Sequence, residues 1–337
     1  MSGIFVTEDG TEVTAETIDG KLLLNAAEFA KATKWELKDI GLCNGPVCIP
    51  LRGIEVATPH GLDASLLAQV LRRRVVLDLE SESGALGGDP QVRSAGLMDR
   101  IAPEVVLPDL DGNLHALSSL RGAKALLVTF ATWCGCRYDL PGWQGLVDEL
   151  AEFGLKVYAV AVDEDAEKVR RFTSDFNAPV MIDRHHVVSE AYAMSNVPTV
   201  VWIDEMGRVA LPNSLAFGTD TFSDFTGVQS GPHLDAVRTW VRTGALPEVA
   251  SDPVSDLSGD EIDARLHFRL AAAWRRHGRV DEAAKHFAIA SELAPFDWTV
   301  RRAAMPLTGR DPFGQEFLDL YDQWQGNGAP YHGVRPI

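Results

Sequence analysis

The chain has 337 residues, with 46% hydrophobic and 23% charged side chains and a formal net charge of −17. That is enough chain for two or three domains with a sizeable core, and the composition is that of a soluble globular protein. The acidic balance argues against nucleic acid or an anionic membrane surface as partner. No stretch approaches the roughly 18 apolar residues of a membrane span.

The N-terminal segment MSGIFVTEDGTEV has neither a basic region nor an apolar core of signal-peptide length. A cytoplasmic location is therefore expected. Residues 1–80 read as a small α/β domain. Ile4 to Val6 and Leu22 to Leu24 are expected strands between Asp-Gly turns. Asn25 with Glu28 three residues on reads as a capping box that opens a helix through Thr33. In GLCNGPVCIPL, Asn44-Gly45-Pro46 is turn chemistry and brings Cys43 and Cys48 together across a tight loop. Three readings of this pair stay open: buried packing thiols, an auxiliary redox pair, or half of a soft-metal site. A helix is expected over 62–71 and a strand over 74–79. Residues 81–97 (SESGALGGDPQVRSAGL) lack an apolar period and read as a linker.

From 98 to 247 strands and helices alternate. Leu126 to Ala131 is an apolar run that reads as a buried central strand. It leads through Thr132-Trp133-Cys134-Gly135-Cys136-Arg137 into an amphipathic helix carrying Leu140, Trp143, Leu146, Val147, Leu150 and Phe153. Two cysteines thus sit where a strand meets a helix N-terminus, a place that stabilises a thiolate. Further strands are expected over 157–162 and 180–182, with a hairpin at 199–210. Helices are expected over 165–176, 187–194 and 233–243. Asp139 falls on the same helix face as Cys136 and is a candidate proton acceptor, the alternative being a solvated surface acid. Arg137 is a candidate thiolate stabiliser. The stretch 211–231, with Phe217, Phe222 and Phe225, is long for a connection and is either a lid or disordered.

Residues 250–337 change character and read as all-α. Amphipathic helices are expected over 259–277 and 280–293, then over 300–305 and 313–324. Leu270, Ala271, Trp274, Gly278, Ala283, Phe287, Ala290 and Pro295 resemble the tetratricopeptide consensus, in a single repeat. One such hairpin cannot bury its own apolar face. It is expected to dock on the central domain or on a second subunit, making a homodimer.

ATWCGCR-x-x-L-P resembles the active-site turn of the bacterial thioredoxin-like redoxins, a family of disulfide oxidoreductases that reads A-T-W-C-x-x-C-R-x-x-x-P. LPDLDGNLHALSSLRGAKALLV upstream, and KVYAVAVDEDAEKVRRF and AYAMSNVPTVVWIDEMGRV downstream, follow the family in order. The resemblance covers residues 100 to 245. It implies an α/β thioredoxin-like fold, with Cys134, Cys136, Asp139, Trp133 and Pro198 as site residues. It also implies that Val197-Pro198-Thr199 is the family's cis-proline loop. One feature departs: a single residue, Gly135, separates the cysteines where the family has two. A Cys-Gly-Cys disulfide closes a tight ring and is expected to be more oxidising, or to form poorly.

Three functions follow. The first is a cytoplasmic thiol oxidoreductase acting on disulfides, sulfenic acids or peroxides, an antioxidant role, with Cys134 as nucleophile and Cys136 as resolver. It needs no cofactor. Its partners are a protein or small-molecule thiol or disulfide and an external reductant such as thioredoxin or a low-molecular-weight thiol. The peroxiredoxin pattern Pro-x-x-x-Thr-x-x-Cys is absent before Cys134, because Thr132 stands one position too close. The second function is a soft-metal protein binding Cu(I), Zn(II) or Hg(II) through Cys43, Cys48, Cys134 and Cys136. The third is a non-catalytic scaffold whose helical tail binds a partner.

Overall fold

A computed structural model describes residues 3–337. The chain forms two compact units, and both are discontinuous in sequence. The first comprises Met1–Pro90 and Ser258–Pro295, the second Gln91–Leu257 and Phe296–Ile337. This differs from the expected succession of small domain, linker, redoxin and tail.

In the first unit the alternating apolar residues of Glu12–Ile18 and the apolar runs of Gly3–Val6 and Lys21–Leu24 build the middle of a seven-stranded sheet. The segment expected as a linker supplies one of its strands. Ser83–Leu86 is fully buried, parallel to Gly3–Val6 and antiparallel to Val75–Asp78. Its small residues are there for packing. A Cβ at Gly84 would lie 2.9 Å from the Leu77 side chain and 3.0 Å from the Phe5 ring. Gly-Ser composition therefore reports close approach here, not a solvated tether. The rest of the expected linker is the helix Pro90–Met98.

Asn25 caps the helix Ala26–Thr33 by accepting from the N–H groups of Ala27 and Glu28. The reciprocal half of the expected capping box is missing. The Glu28 carboxylate instead accepts from Thr14 N–H at 2.7 Å, tying the helix to the sheet. In a separate three-stranded sheet, Gly41–Asn44 and Val47–Ile49 form a hairpin with Cys43 opposite Cys48. The two are joined as a disulfide, so of the three readings neither the packing thiols nor the metal half-site describes this state.

The helical hairpin Gly259–Arg276 and Val280–Leu293 packs on this N-terminal sheet. The hairpin belongs to the unit of this sheet and not to that of the central domain, which corrects the expected docking on the central domain. A capping box at Ser258 and Glu261 starts the first helix. Ile262, Leu266, Leu270 and Trp274 on its inner side are buried. Arg269 donates to the Leu86 carbonyl at 3.2 Å and the Trp274 indole N–H to Ser83 Oγ at 3.3 Å. Arg74 makes a two-point ion pair with Asp263. The sheet thus supplies within the chain the cover that a lone helical hairpin needs.

The second unit is an α/β domain around a five-stranded sheet. Its order is Val180–Ile182, Lys156–Ala161, Ala125–Phe130, Val200–Ile203 and Val209–Ser214. The central strand Ala125–Phe130 is buried along its whole length. It pairs parallel with Lys156–Ala161 and antiparallel with Val200–Ile203. Such two-sided burial is why it reads as an unbroken apolar run. The last two helices, Trp298–Leu307 and Gln315–Gly326, belong to this unit and carry a cluster of Trp298, Met305, Phe317 and Leu320. Among the described residues no helix is long and apolar enough to cross a membrane.

Candidate active site

The central strand ends at Phe130, and the next residues are pinned by its parallel neighbour. Asp163, just past that neighbour, accepts from Thr132 N–H at 2.8 Å and from Thr132 Oγ1 at 2.6 Å. Burial pushes the Asp163 carboxyl up to about 7, against the hydrogen bonds from Thr132. Trp133 gives its indole N–H to the Val162 carbonyl at 3.0 Å. Its ring is buried in the scaffold beneath the turn, so Trp133 acts on the site through position.

The helix does not begin at the cysteines as expected. One 3-10 turn, Gly135–Asp139, intervenes, and the α-helix Leu140–Glu149 starts after it. Pro141 lies in the first turn of that helix, where its missing N–H and fixed φ are tolerated. Cys134 is the N-cap of the 3-10 turn. Its sulfur accepts from Cys136 N–H at 3.3 Å, and its thiol lies 3.4 Å from the Val197 carbonyl that it faces as donor. Both cysteines are buried free thiols. The Val197–Pro198 peptide bond is cis, as the resemblance implied. Thr129 holds this loop: its N–H donates to the Thr199 carbonyl at 2.9 Å, and Thr199 N–H returns a bond to its hydroxyl at 2.8 Å.

The two thiols are electrostatically unlike. Burial pushes the Cys134 thiol up, but the hydrogen bond from Cys136 and the positive charge of Arg302 outweigh it, leaving Cys134 below an ordinary thiol. Burial pushes Cys136 well above the ordinary value, and the neighbouring Cys134 adds to that. The thiolate is thus favoured more at Cys134 than at Cys136.

Asp139 is buried at the end of the 3-10 turn. One carboxylate oxygen accepts from Thr219 N–H at 3.0 Å and Thr219 Oγ1 at 2.8 Å. Among the described residues its Oδ2 has no hydrogen-bond partner. Burial raises this carboxyl to about 6, with the Thr219 bonds opposing. It is therefore no solvated surface acid. If it takes the Cys136 proton, turnover should fall as pH drops through about 6, because the protonated carboxyl can no longer accept. Asp139→Asn should slow turnover and erase that acid limb, which a pH–rate profile of the two proteins measures.

Arg137 does not point to the thiols. Its guanidinium donates to the Thr132 carbonyl and, at 3.0 Å, to Tyr138 Oη, and it lies over the rings of Tyr138, Phe172 and Phe313. The cation that acts on Cys134 is Arg302, from the helix Trp298–Leu307. That helix is anchored by Asp297, which caps it, and by Trp298 N–H donating to the Ser195 carbonyl at 2.9 Å. Nothing near the cysteines in sequence points to Arg302. The helix reads WTVRRAAMPL, with Arg301 beside Arg302, so the sequence does not single out Arg302.

The insertion after Val209–Ser214 covers the site. Gly218 packs onto the start of the active-site helix so closely that a Cβ on Gly142 would overlap its carbonyl oxygen. Leu215, Phe217, Phe222 and Phe225 of this stretch, with Phe317 and Arg302 among the tail residues, line a cavity of about 460 Å³ that has Cys134, Cys136 and Pro198 on its floor. Of the two alternatives for this stretch, the lid is the one observed.

Cys43 and Cys48 belong to the other unit and are bonded to each other. The four-sulfur metal set is therefore not assembled: two of its sulfurs carry no free thiolate. Among the described residues no group of three or more His, Cys, Asp or Glu side chains is placed to hold a metal ion.

Residues 98–211 match the AhpC/TSA family. Thiol-disulfide oxidoreductase ResA of Geobacillus thermodenitrificans is 31% identical over 149 residues, which are 43% of this chain and 81% of that protein. ResA of Geobacillus kaustophilus is 32% identical over the same length and the same shares. Among solved structures, a putative thiol:disulfide interchange protein DsbE from Chlorobium tepidum is 28% identical, covering 34% of this chain and 82% of that one, with a TM-score of 0.32.

Proposed function

The chain belongs to the thioredoxin-like thiol-disulfide oxidoreductases of the AhpC/TSA family, and from that premise we propose that it runs a two-thiol exchange in which Cys134 attacks and Cys136 resolves. The observation that carries the assignment of roles is the asymmetry of the two sulfurs. Cys134 lies beside the Val197 carbonyl and is the lowered thiol, while Cys136 is the raised one. The Cys134 thiolate displaces one sulfur of a substrate disulfide and forms a mixed disulfide. Cys136 then passes its proton to Asp139 and attacks the Cys134 sulfur. The second substrate thiol leaves, and Cys134–Cys136 remains as the oxidised form. An external thiol reductant restores the dithiol.

Disulfides are the substrates in this proposal, rather than peroxides. Thr132 is held by Asp163 and is not spaced from Cys134 as the peroxiredoxin pattern requires. The proposed compartment is the cytoplasm, where a Cys43–Cys48 disulfide lasts only as a redox couple in its own right.

Timed alkylation tests the assignment. With the protein fully reduced, iodoacetamide should label Cys134 first of the four cysteines, with an apparent pKa below the ~8.5 of a free thiol. Peptide mapping by mass spectrometry reads the order. Equal rates at Cys134 and Cys136 would remove the basis for an ordered nucleophile and resolver.

A further inference from the structure

The chamber above the cysteines differs from an open peptide-binding edge. The cis-proline loop could pair with an extended peptide only if its approach were free. Here the insertion and the tail helices wall that approach on two sides, leaving a half-open cavity. Phe225 stacks on Tyr321 at 4.5 Å between ring centroids, joining lid to tail. Phe222 lies 6.3 Å from Tyr138 beside the active-site turn. The half-open cavity has a volume of about 460 Å³, that of a small-molecule site.

Arg302 is the one charged side chain lining the chamber among the described residues. It is 8% exposed. Its Nε donates to the Pro312 carbonyl at 3.0 Å, and the guanidinium sits over Phe317 at 3.7 Å from the ring centroid. Among the described residues its two terminal nitrogens make no hydrogen bond, and its positive charge acts on the Cys134 sulfur. A buried guanidinium in an aromatic box with free donors is a receptor for an anionic group on an otherwise apolar molecule.

We propose that the substrate preferred over a protein disulfide is a small, apolar organic disulfide carrying an anionic group, held by Arg302 and the aromatic walls. This rests on the thiol-disulfide reading. Before attack, Arg302 faces the Cys134 thiolate. Once Cys134 is joined to the substrate sulfur its negative charge has left with the departing thiolate, and the guanidinium is free to pair with the anion of the half that stays bound. Cys136 then attacks Cys134, and the retained half leaves as a thiol. The two electrons come from the enzyme dithiol and are replaced by an external dithiol, itself oxidised to its disulfide.

The test uses the pre-reduced full chain and four probes: 5,5′-dithiobis(2-nitrobenzoate), which is aromatic and anionic; 4,4′-dithiodipyridine, aromatic and uncharged; cystamine, cationic; and insulin, a protein. Each rate is divided by that of free glutathione with the same probe, which removes intrinsic reactivity. The anionic aromatic probe should exceed cystamine by about tenfold or more, and insulin by about a hundredfold. In Arg302→Gln the ratio of the anionic to the uncharged aromatic probe should fall about tenfold, while Arg302→Lys should keep most of it. A changed thiolate fraction scales both probes alike, so the ratio isolates recognition. Insulin reacting as fast as the anionic probe, or an unchanged ratio in Arg302→Gln, would overturn the substrate class and leave the oxidoreductase reading standing. No reaction with any of the four would overturn both. The wild-type series decides between these outcomes even if the variants fold poorly.

Discussion

Replacing Cys134 with serine should lower disulfide turnover by at least about a thousandfold, since a hydroxyl with no adjacent base cannot replace a thiolate as nucleophile. The reason lies in how the turn is built. The Cys134 sulfur receives the Cys136 N–H at 3.3 Å and the field of Arg302, both of which act on negative charge at that atom. Cys136 lacks this support and is pushed up by burial. Cys136→Ser should therefore keep the first half-reaction and lose the second. Its steady-state turnover should fall as far as that of Cys134→Ser, while one equivalent of substrate thiol still appears in a burst. Stopped-flow measurement of the released thiol separates the two variants. A full burst from Cys134→Ser would mean that the roles are reversed.

Gly142→Ala should be damaging, small though the change is and outside the cysteines. Its Cβ would overlap the Gly218 carbonyl oxygen, and Gly218 is itself so close that a Cβ there would lie 2.4 Å from the Asp139 carbonyl oxygen and 3.1 Å from the Trp143 ring. The first clash is with backbone, so no side chain can swing away to relieve it. Overpacking of this kind costs about 1–3 kcal/mol, or roughly 2–4 °C in melting temperature per kcal/mol for a domain of this size. The insertion is the element that can move, and lifting it would also detach Thr219 from Asp139. Calorimetry should show the lower melting temperature, and insulin should gain on the small anionic probe as the chamber opens. An unchanged melting temperature with an unchanged probe ratio would mean that the insertion is not seated on the active-site helix.

What could be read from the sequence was local. The buried run ending at Phe130, the Trp-Cys-Gly-Cys turn and the Val-Pro-Thr loop are short segments whose chemistry stands in their own residues. Their order along the chain then set the thioredoxin-like frame. Long-range partners were not legible. The helix Gly259–Arg276 shows an apolar stripe, but a stripe does not say what covers it, and the cover is the sheet built by the first ninety residues. Ser83–Leu86 looked like a tether because its residues are small, whereas smallness there answers to Phe5 and Leu77. Arg137 is the arginine that the sequence offers, because it sits next to Cys136. In the fold its guanidinium turns back to the Thr132 carbonyl, and the distant arginine takes the electrostatic role.

The exchange mechanism itself is tested most directly by isolating its intermediate. Cys136→Ser, reduced and mixed with one equivalent of 5,5′-dithiobis(2-nitrobenzoate), is quenched in acid and mapped by mass spectrometry beside the wild type. The expected result is one thionitrobenzoate on Cys134 in the variant, and in the wild type no adduct but a Cys134–Cys136 disulfide. An adduct on Cys134 that persists in the wild type, with Cys136 still a free thiol, would contradict the two-thiol exchange.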